Sequence, residues 1–333
     1  MATIFLTGGT GFIGKRLLKI LGKENKIFFL VRRESTEKAE KIIKESSLKA
    51  IKIFKGDLEQ ERLGLPDGVL RKITQETDYI YHLAASYDSS LSKERIFEIN
   101  LEGTKRLALL AKKIKNLKAF VYVSTAYVAG EREGKILETY QVKPPSFRNP
   151  YEEAKFMSES FLRKVNLPLV IIRPALVVGD SKTGEVDRDV KTGIYQLIKI
   201  IDRGFLFFYP GECNGNLSVV PVDWVVEAIY KIGKNKKSIG KIFHLSDPSP
   251  MRVKDFVDSV CTLLEERKPY LIMPKAFFNF LPRFWIRTQI MMLNRKQIFD
   301  ISNTAMLLGR EDLPPSLASY LPELISYYRK NLR

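Results

Sequence analysis

Histidine and cysteine are nearly missing from this chain, which holds two of each in 333 residues. His82 and His244 each belong to an apolar strand-like run and have no companion ligands in sequence. Metal sites need several ligands, so both are read as packing residues and no metal is expected. Cys213 and Cys261 stand far apart without metal spacing, which suits free thiols in a reducing compartment. A long hydrophobic run is also absent. The most apolar stretch, 271–293, is interrupted by Pro274, Lys275, Pro282, Arg283 and Arg287, whereas a spanning helix needs about 20 predominantly apolar residues. That stretch is read as core, as a lid on an apolar pocket, or as an aromatic and basic patch in peripheral contact with a membrane surface. The N-terminus opens directly on a strand pattern and leaves no room for a leader, so a cytoplasmic location is expected. Acidic residues are scarce too: 38 against 55 basic ones, a formal charge of +17. The excess is scattered, and no helix-turn-helix, zinc finger or RNA-binding signature accompanies it. Nucleic acid is therefore excluded as a partner, and phosphate-bearing small molecules suit the field better.

What is present is a regular alternation of short apolar runs with helical patterns, and 45% hydrophobic residues to fill a core. Candidate strands are Ile4–Thr7, Ile27–Val31, Ile51–Phe54, Tyr79–Leu83, Ala119–Val123, Leu169–Ile172 and Lys241–Leu245. Strands separated by crossover helices predict an α/β fold: a doubly wound Rossmann-type parallel sheet with a smaller, discontinuous, mostly helical substrate domain. Residues 1–178 would form the dinucleotide-binding domain, with 217–246 returning to it. Residues 179–216 and 247–333 would form the substrate-binding region. A homodimer is carried as a further expectation. Ligands of such sheets gather at the carboxyl ends of the strands.

At the first of those ends stands Thr7-Gly8-Gly9-Thr10-Gly11-Phe12-Ile13-Gly14, between a strand and a helix with Ile13, Leu17 and Leu21 on one face. Gly8 would permit the turn, Gly11 the approach of backbone N–H groups to a pyrophosphate, and Gly14 close packing of helix on strand. The second strand is followed by Arg32, eighteen residues after Gly14. A carboxylate there would grip the ribose hydroxyls of NAD, whereas arginine accommodates a 2'-phosphate, so the cofactor is read as NADPH. Farther on, Asn149-Pro150-Tyr151-Glu152-Glu153-Ala154-Lys155 reads as a capped helix start. Its Tyr151 and Lys155 share one face. Positive charge near a phenol favours its anion and makes it a better proton donor at neutral pH. Ser124-Thr125 closes the fifth strand, Thr125 lying 26 residues before Tyr151.

With these residues in order, together with Gly56-Asp57-Leu58, His82-Leu83-Ala84-Ala85, Asn100, Gly103-Thr104 and Arg173-Pro174, the chain resembles the extended short-chain dehydrogenase/reductases over nearly its whole length. Val123–Gly130 and Arg173–Gly184 look most like the fatty acyl-CoA reductase and thioester reductase branch. That resemblance implies an NADPH-dependent reductase of an acyl thioester, ending at aldehyde or alcohol. Thr125, with Ser124 as the alternative, would hold the carbonyl oxygen. Tyr151 would donate the proton, and Lys155 would bind ribose hydroxyls and lower the Tyr151 pKa. Asp57 and Leu58 would lie by the adenine, and Ala84, Pro174 and Val177 on the nicotinamide side. Three other readings compete: a ketone or aldehyde reductase of sterol or flavonoid type, a nucleotide-sugar epimerase or dehydratase, and a catalytically silent NADPH-binding protein.

Overall fold

The computed structural model describes residues 1–88, 90–140, 145–187, 193–204, 208–210, 214–269, 271–273 and 295–333. Cys213 and residues 274–293 of the apolar stretch lie outside them. The centre is a seven-stranded sheet of β1 (Thr3–Thr7), β2 (Lys26–Val31), β3 (Ile51–Lys55), β4 (Tyr79–His82), β5 (Ala119–Val123), β6 (Leu169–Pro174) and β7 (Ile242–Leu245). Its order is β7-β6-β5-β4-β1-β2-β3, and every neighbouring pair runs parallel. The doubly wound Rossmann-type sheet is thus present. Strand order reverses between β1 and β4, which opens a crevice at their carboxyl ends.

Side-chain alternation explains the layering. Ile4 and Leu6 face a core shared with Leu17 and Leu21 of α1 (Phe12–Glu24) and with Ile42 of α2 (Thr36–Glu45). Phe5 faces the opposite core, with Ile73 of α3 (Asp67–Glu76). Beyond α3, the short α4 (Lys93–Phe97) passes through a π turn at Glu98–Glu102 into α5 (Gly103–Ala111), and α6 (Pro150–Leu162) follows β5. Later helices are α7 (Gly193–Asp202), α8 (Val222–Lys234), α9 (Val253–Leu264), α10 (Ser302–Leu308) and α11 (Leu317–Asn331). Helix α8 covers the α1 side of the sheet through Val225, Ile229 and Ile232. A separate apolar cluster joins Ile198, Phe256, Val260 and Leu324 from α7, α9 and α11. Salt bridges tie this region back to α1, where Lys15 meets Asp187 at 2.6 Å and Arg16 meets Glu185 at 3.2 Å. Among the described residues, no helix is long and apolar enough to cross a membrane.

One reading is corrected by β6. The sequence pattern bounds the sixth strand at Leu169–Ile172, with Arg173-Pro174 beyond its end, yet the strand continues through Pro174, paired with Leu245. Alternation then turns Arg173 away from the crevice and buries it completely. Its Nε donates to Glu159 Oε1 at 3.0 Å and its Nη2 to Glu159 Oε2 at 2.5 Å, while Nη1 reaches the Thr139 carbonyl at 3.2 Å. Both histidines are buried in strands. His82 bridges Thr7 Oγ1 (2.7 Å) and Thr104 Oγ1 (2.9 Å). His244 lies 3.3 Å from Arg173 Nη1, and its own backbone N–H donates to Glu138 Oε1 at 2.7 Å. Burial pulls both imidazoles below their ordinary value, His244 to about 3, so both stay neutral.

Removing one partner of a buried ion pair strands the other charge, at a cost of about 3 to 5 kcal/mol. Arg173→Met should therefore lose roughly that much stability in urea denaturation. The double substitution Arg173→Met, Glu159→Leu should regain most of it, and additive losses in the cycle would contradict the bidentate pairing.

Candidate active site

The glycine loop is built around close backbone approach. Gly8 has φ +75°, and a Cβ there would stand 2.4 Å from the Ala84 backbone nitrogen, so glycine is required both by conformation and by contact with the end of β4. A Cβ on Gly14 would fall 2.0 Å from the Gly8 carbonyl oxygen. The partner of Gly14 is thus the loop itself, a correction to the expected packing of helix on strand. Gly11 is exposed and is the N-cap of α1, with no side-chain cap and no acidic residue in the first turn. The positive end of α1 thereby faces an opening, the local chemistry that a pyrophosphate needs. Thr10, Phe12 and Ile13 are half-buried around it.

Helix α6 starts where its cap predicts: Asn149 Oδ1 accepts from the Glu152 backbone N–H at 2.9 Å, and Pro150 opens the first turn. Lys155, almost fully buried, donates from Nζ to the Val123 carbonyl at 2.7 Å and lies 4.1 Å over the Tyr122 ring centre. This single bond seats the helix that bears Tyr151 against the strand end that leads to Ser124 and Thr125. Thr125 is buried, and its Oγ1 accepts from the Tyr127 backbone N–H at 3.3 Å to cap the turn Ala126–Ala129. The Ser124 hydroxyl is buried without a hydrogen-bond partner among the described residues. An orphan donor at this strand end fits a site that receives a polar ligand atom.

The electrostatics differ from expectation. Burial, with Tyr87 and Glu152 nearby, pushes the Tyr151 phenol well above its ordinary value. Lys155 does not lower it here, because its ammonium is held by Val123 and the Tyr122 face. Burial pulls Lys155 itself down to about 7, against the opposing charge of Glu159.

The remaining predicted residues sit along the carboxyl ends of the strands. Ala84 follows β4, with its N–H 3.4 Å from Thr7 Oγ1. Arg32 follows β2, is exposed, and pairs with Glu34 at 3.1 Å. Asp57 and Leu58 follow β3; Asp57 Oδ1 accepts from the Glu59 N–H at 3.0 Å, and Leu58 is buried beneath Gly103. Pro174 ends β6, and Val177 pairs with Val220 in a short parallel ladder beside it. Asn100, named among the motifs without a role, is buried, and its side chain exchanges two hydrogen bonds with the Ser86 backbone, at 2.9 and 2.8 Å. Reading by motif missed another residue that braces the site. Arg295 meets Glu152 at 2.5 Å, both buried. The spacing of four between Lys155 and Glu159 was a local signal for one such partner; Arg295, 143 residues from Glu152, offered none. Among the described residues no group of His, Cys, Asp and Glu could hold a metal ion.

Comparison with known proteins agrees with this geometry. The model of an NAD-binding family described as Male sterility protein matches residues 6–229. The chain belongs to the Male sterility protein family. It is thereby of the extended short-chain dehydrogenase/reductase type, with a domain of an NAD(P)-binding family. Among curated relatives of this family member, the fatty acyl-CoA reductase wat of Drosophila melanogaster is 28% identical over 72% of the chain and 56% of its own length. Equisetin synthetase eqxS of Fusarium heterosporum is 28% identical over 71% of the chain and 6% of its own length. The chain thus spans about half of the former and a small fraction of the latter. Among solved structures, the terminal R domain of the myxalamid biosynthetic pathway superposes with a TM-score of 0.82 at 25% identity, covering 99% of this chain and 91% of that one. A UDP-glucuronic acid 4-epimerase from Bacillus cereus shares the fold, with a TM-score of 0.71 at 21% identity and coverage of 99% and 100%.

The lowered value of Lys155 has a thermodynamic consequence in this family member. An unfolded lysine keeps its proton up to about 10.4, so between about pH 7 and that value the unfolded chain binds more protons than the folded one. The lysine's contribution to stability is then complete above this window and lost as pH falls through about 7. Urea denaturation of the ligand-free protein at pH 7, 8 and 9 should show this rise, and Lys155→Met should flatten it.

Proposed function

We propose that this chain is an NADPH-dependent reductase of acyl thioesters, fatty acyl-CoA or carrier-bound, that yields the aldehyde or the alcohol. The observation that carries the proposal is the seating of α6 on β5 by the bond from Lys155 to the Val123 carbonyl. That bond joins the helix bearing Tyr151 to the strand end that leads to Ser124 and Thr125, which supports reading these residues as one site. The kinship with fatty acyl-CoA reductases and with reductase domains of peptide and polyketide synthetases supports the thioester class.

In this reading Gly8, Thr10, Gly11, Phe12, Ile13 and Gly14 hold the pyrophosphate, and Arg32 takes the 2'-phosphate. Asp57 and Leu58 border the adenine, and Ala84, Pro174 and Val177 the nicotinamide side. Bound NADPH supplies the hydride. Charge that develops on the carbonyl oxygen needs donors and then a proton. Thr125, or Ser124 with its uncommitted hydroxyl, donates to that oxygen, and Tyr151 protonates it. Lys155 holds ribose hydroxyls from the start of the same helix. A thioester treated so becomes a hemithioacetal, which expels a thiol to give the aldehyde; a second hydride and proton give the alcohol.

The deciding experiment follows NADPH oxidation by the purified protein with acyl-CoA thioesters, fatty aldehydes and cyclic ketones, and titrates free thiol. Thiol release from an acyl-CoA is expected, one thiol per NADPH where reduction stops at the aldehyde and one per two NADPH where it reaches the alcohol. Its absence from every thioester, with turnover of a ketone or aldehyde, would move the assignment to a carbonyl reductase. Tyr151→Phe should abolish turnover while the dissociation constant for NADPH changes less than about threefold; a near-normal rate would refute the role of the phenol. Losing a charge-assisted contact of about 1.5 to 3 kcal/mol, Arg32→Ala should weaken NADPH binding by one to two orders of magnitude and leave NADH binding unchanged. Equal weakening of both cofactors would remove Arg32 from the 2'-phosphate site.

A further inference from the structure

Arg295 lies outside every motif that marks the site, yet it touches Glu152, the neighbour of Tyr151, and Tyr127, in the turn capped by Thr125. It is 4% exposed. Its Nη2 donates to Glu152 Oε1 at 2.5 Å, next in sequence to Tyr151 and in the first turn of α6. Its guanidinium stacks 4.2 Å from the centre of the Tyr127 ring, in the turn whose N-cap is Thr125. The segment that carries it is anchored on both sides. The Asn216 N–H donates to the Arg295 carbonyl at 2.7 Å, and the Gly134 N–H to the Lys296 carbonyl at 2.8 Å. Gln297 Nε2 donates to the carbonyls of Gly130 (2.9 Å) and Arg132 (2.7 Å). Residues Gln297–Phe299 then pair in parallel with Gly134–Ile136. The same strap therefore grips the end of the Thr125 turn through Gln297 and the start of α6 through Arg295.

We infer that Arg295 is a positioning residue that sets the separation between the Tyr151 phenol and the Thr125 hydroxyl. Arginine suits the task because its planar head can accept a flat aromatic face while its N–H edge binds a carboxylate in the same plane. Lysine would keep the charge opposite Glu152 and lose the stacked fork. A misplacement of about 1 Å in such a pair can cost about a hundredfold in rate. The inference rests on the assignment of Tyr151 and Thr125 made above, so its test carries one arm that needs no turnover.

Arg295→Met, Arg295→Lys and the double variant Arg295→Met, Glu152→Gln separate positioning from stability, the double variant leaving no buried charge unpaired. In the turnover arm, with NADPH and an acyl-CoA, kcat should fall at least tenfold in Arg295→Met and less in Arg295→Lys, while KM for NADPH moves less than threefold. The double variant should recover the melting temperature and not kcat. In the second arm, amide hydrogen exchange without substrate should quicken at least tenfold in peptides covering 123–130 and 149–156 of Arg295→Met and of the double variant, with 26–31 unchanged. Wild-type kcat in the double variant, or unchanged exchange in both peptides, would overturn the inference. An inactive wild type would count against the proposed function, and the exchange arm would still decide whether Arg295 clamps the two segments.

Discussion

The bond from the buried Lys155 ammonium to the Val123 carbonyl is the constraint on which the site depends. A carbonyl at the last residue of a parallel strand has lost its ladder partner and must be satisfied by something. Here that partner is a lysine from the neighbouring helix, which at once caps β5 and docks α6. Burying the ammonium is costly, and the protein's answer is threefold: the carbonyl, the face of Tyr122, and the carboxylate of Glu159 one turn farther along α6. The price appears as a lysine that burial pulls down to about 7.

Glu159 is itself held by Arg173 from β6, and Glu152 by Arg295 from the C-terminal strap. Helix α6 is thus pinned at two points, about two turns apart, by arginines that arrive from different parts of the chain. Buried ion pairs contribute little net stability, because desolvation offsets most of the attraction. What they supply here is direction: Glu159 accepts from Nε and Nη2 of Arg173 and Glu152 from Nη2 of Arg295, which restricts the rotation of the helix and with it the aim of Tyr151 and Lys155. The histidines belong to the same logic. His82 fills the gap between Thr7 and Thr104, and His244 the gap between Arg173 and the Asp300 carbonyl, each neutral and each a strut.

Much of the fold was legible because local physics and global architecture agree. All seven central strands follow from apolar runs closed by polar or small residues. The sheet order follows from right-handed crossovers that leave few other arrangements. The glycine loop and the capped start of α6 were readable for the same reason: Gly8, Gly11, Asn149 and Pro150 act on backbone conformation within a few residues of themselves. Reading failed where a side chain's direction depended on elements far away. Arg173 looked like a strand-end polar residue until two further residues of β6 turned it inward.

The sequence by itself determined a doubly wound parallel sheet, a phosphate-cradling turn, and the tyrosine, lysine and hydroxyl residues that mark an extended short-chain reductase, since each is written in spacings of four residues or fewer, or in the order of strands. Only the tertiary structure decided how those residues are aimed. It attached Lys155 to Val123 in place of Tyr151, left the Ser124 hydroxyl without a partner among the described residues, and brought Arg295 across 143 residues to Glu152. The reason is physical: conformational preference acts locally along the chain, whereas buried charges and orphan polar groups take partners from whatever the packed core places within about 3 Å.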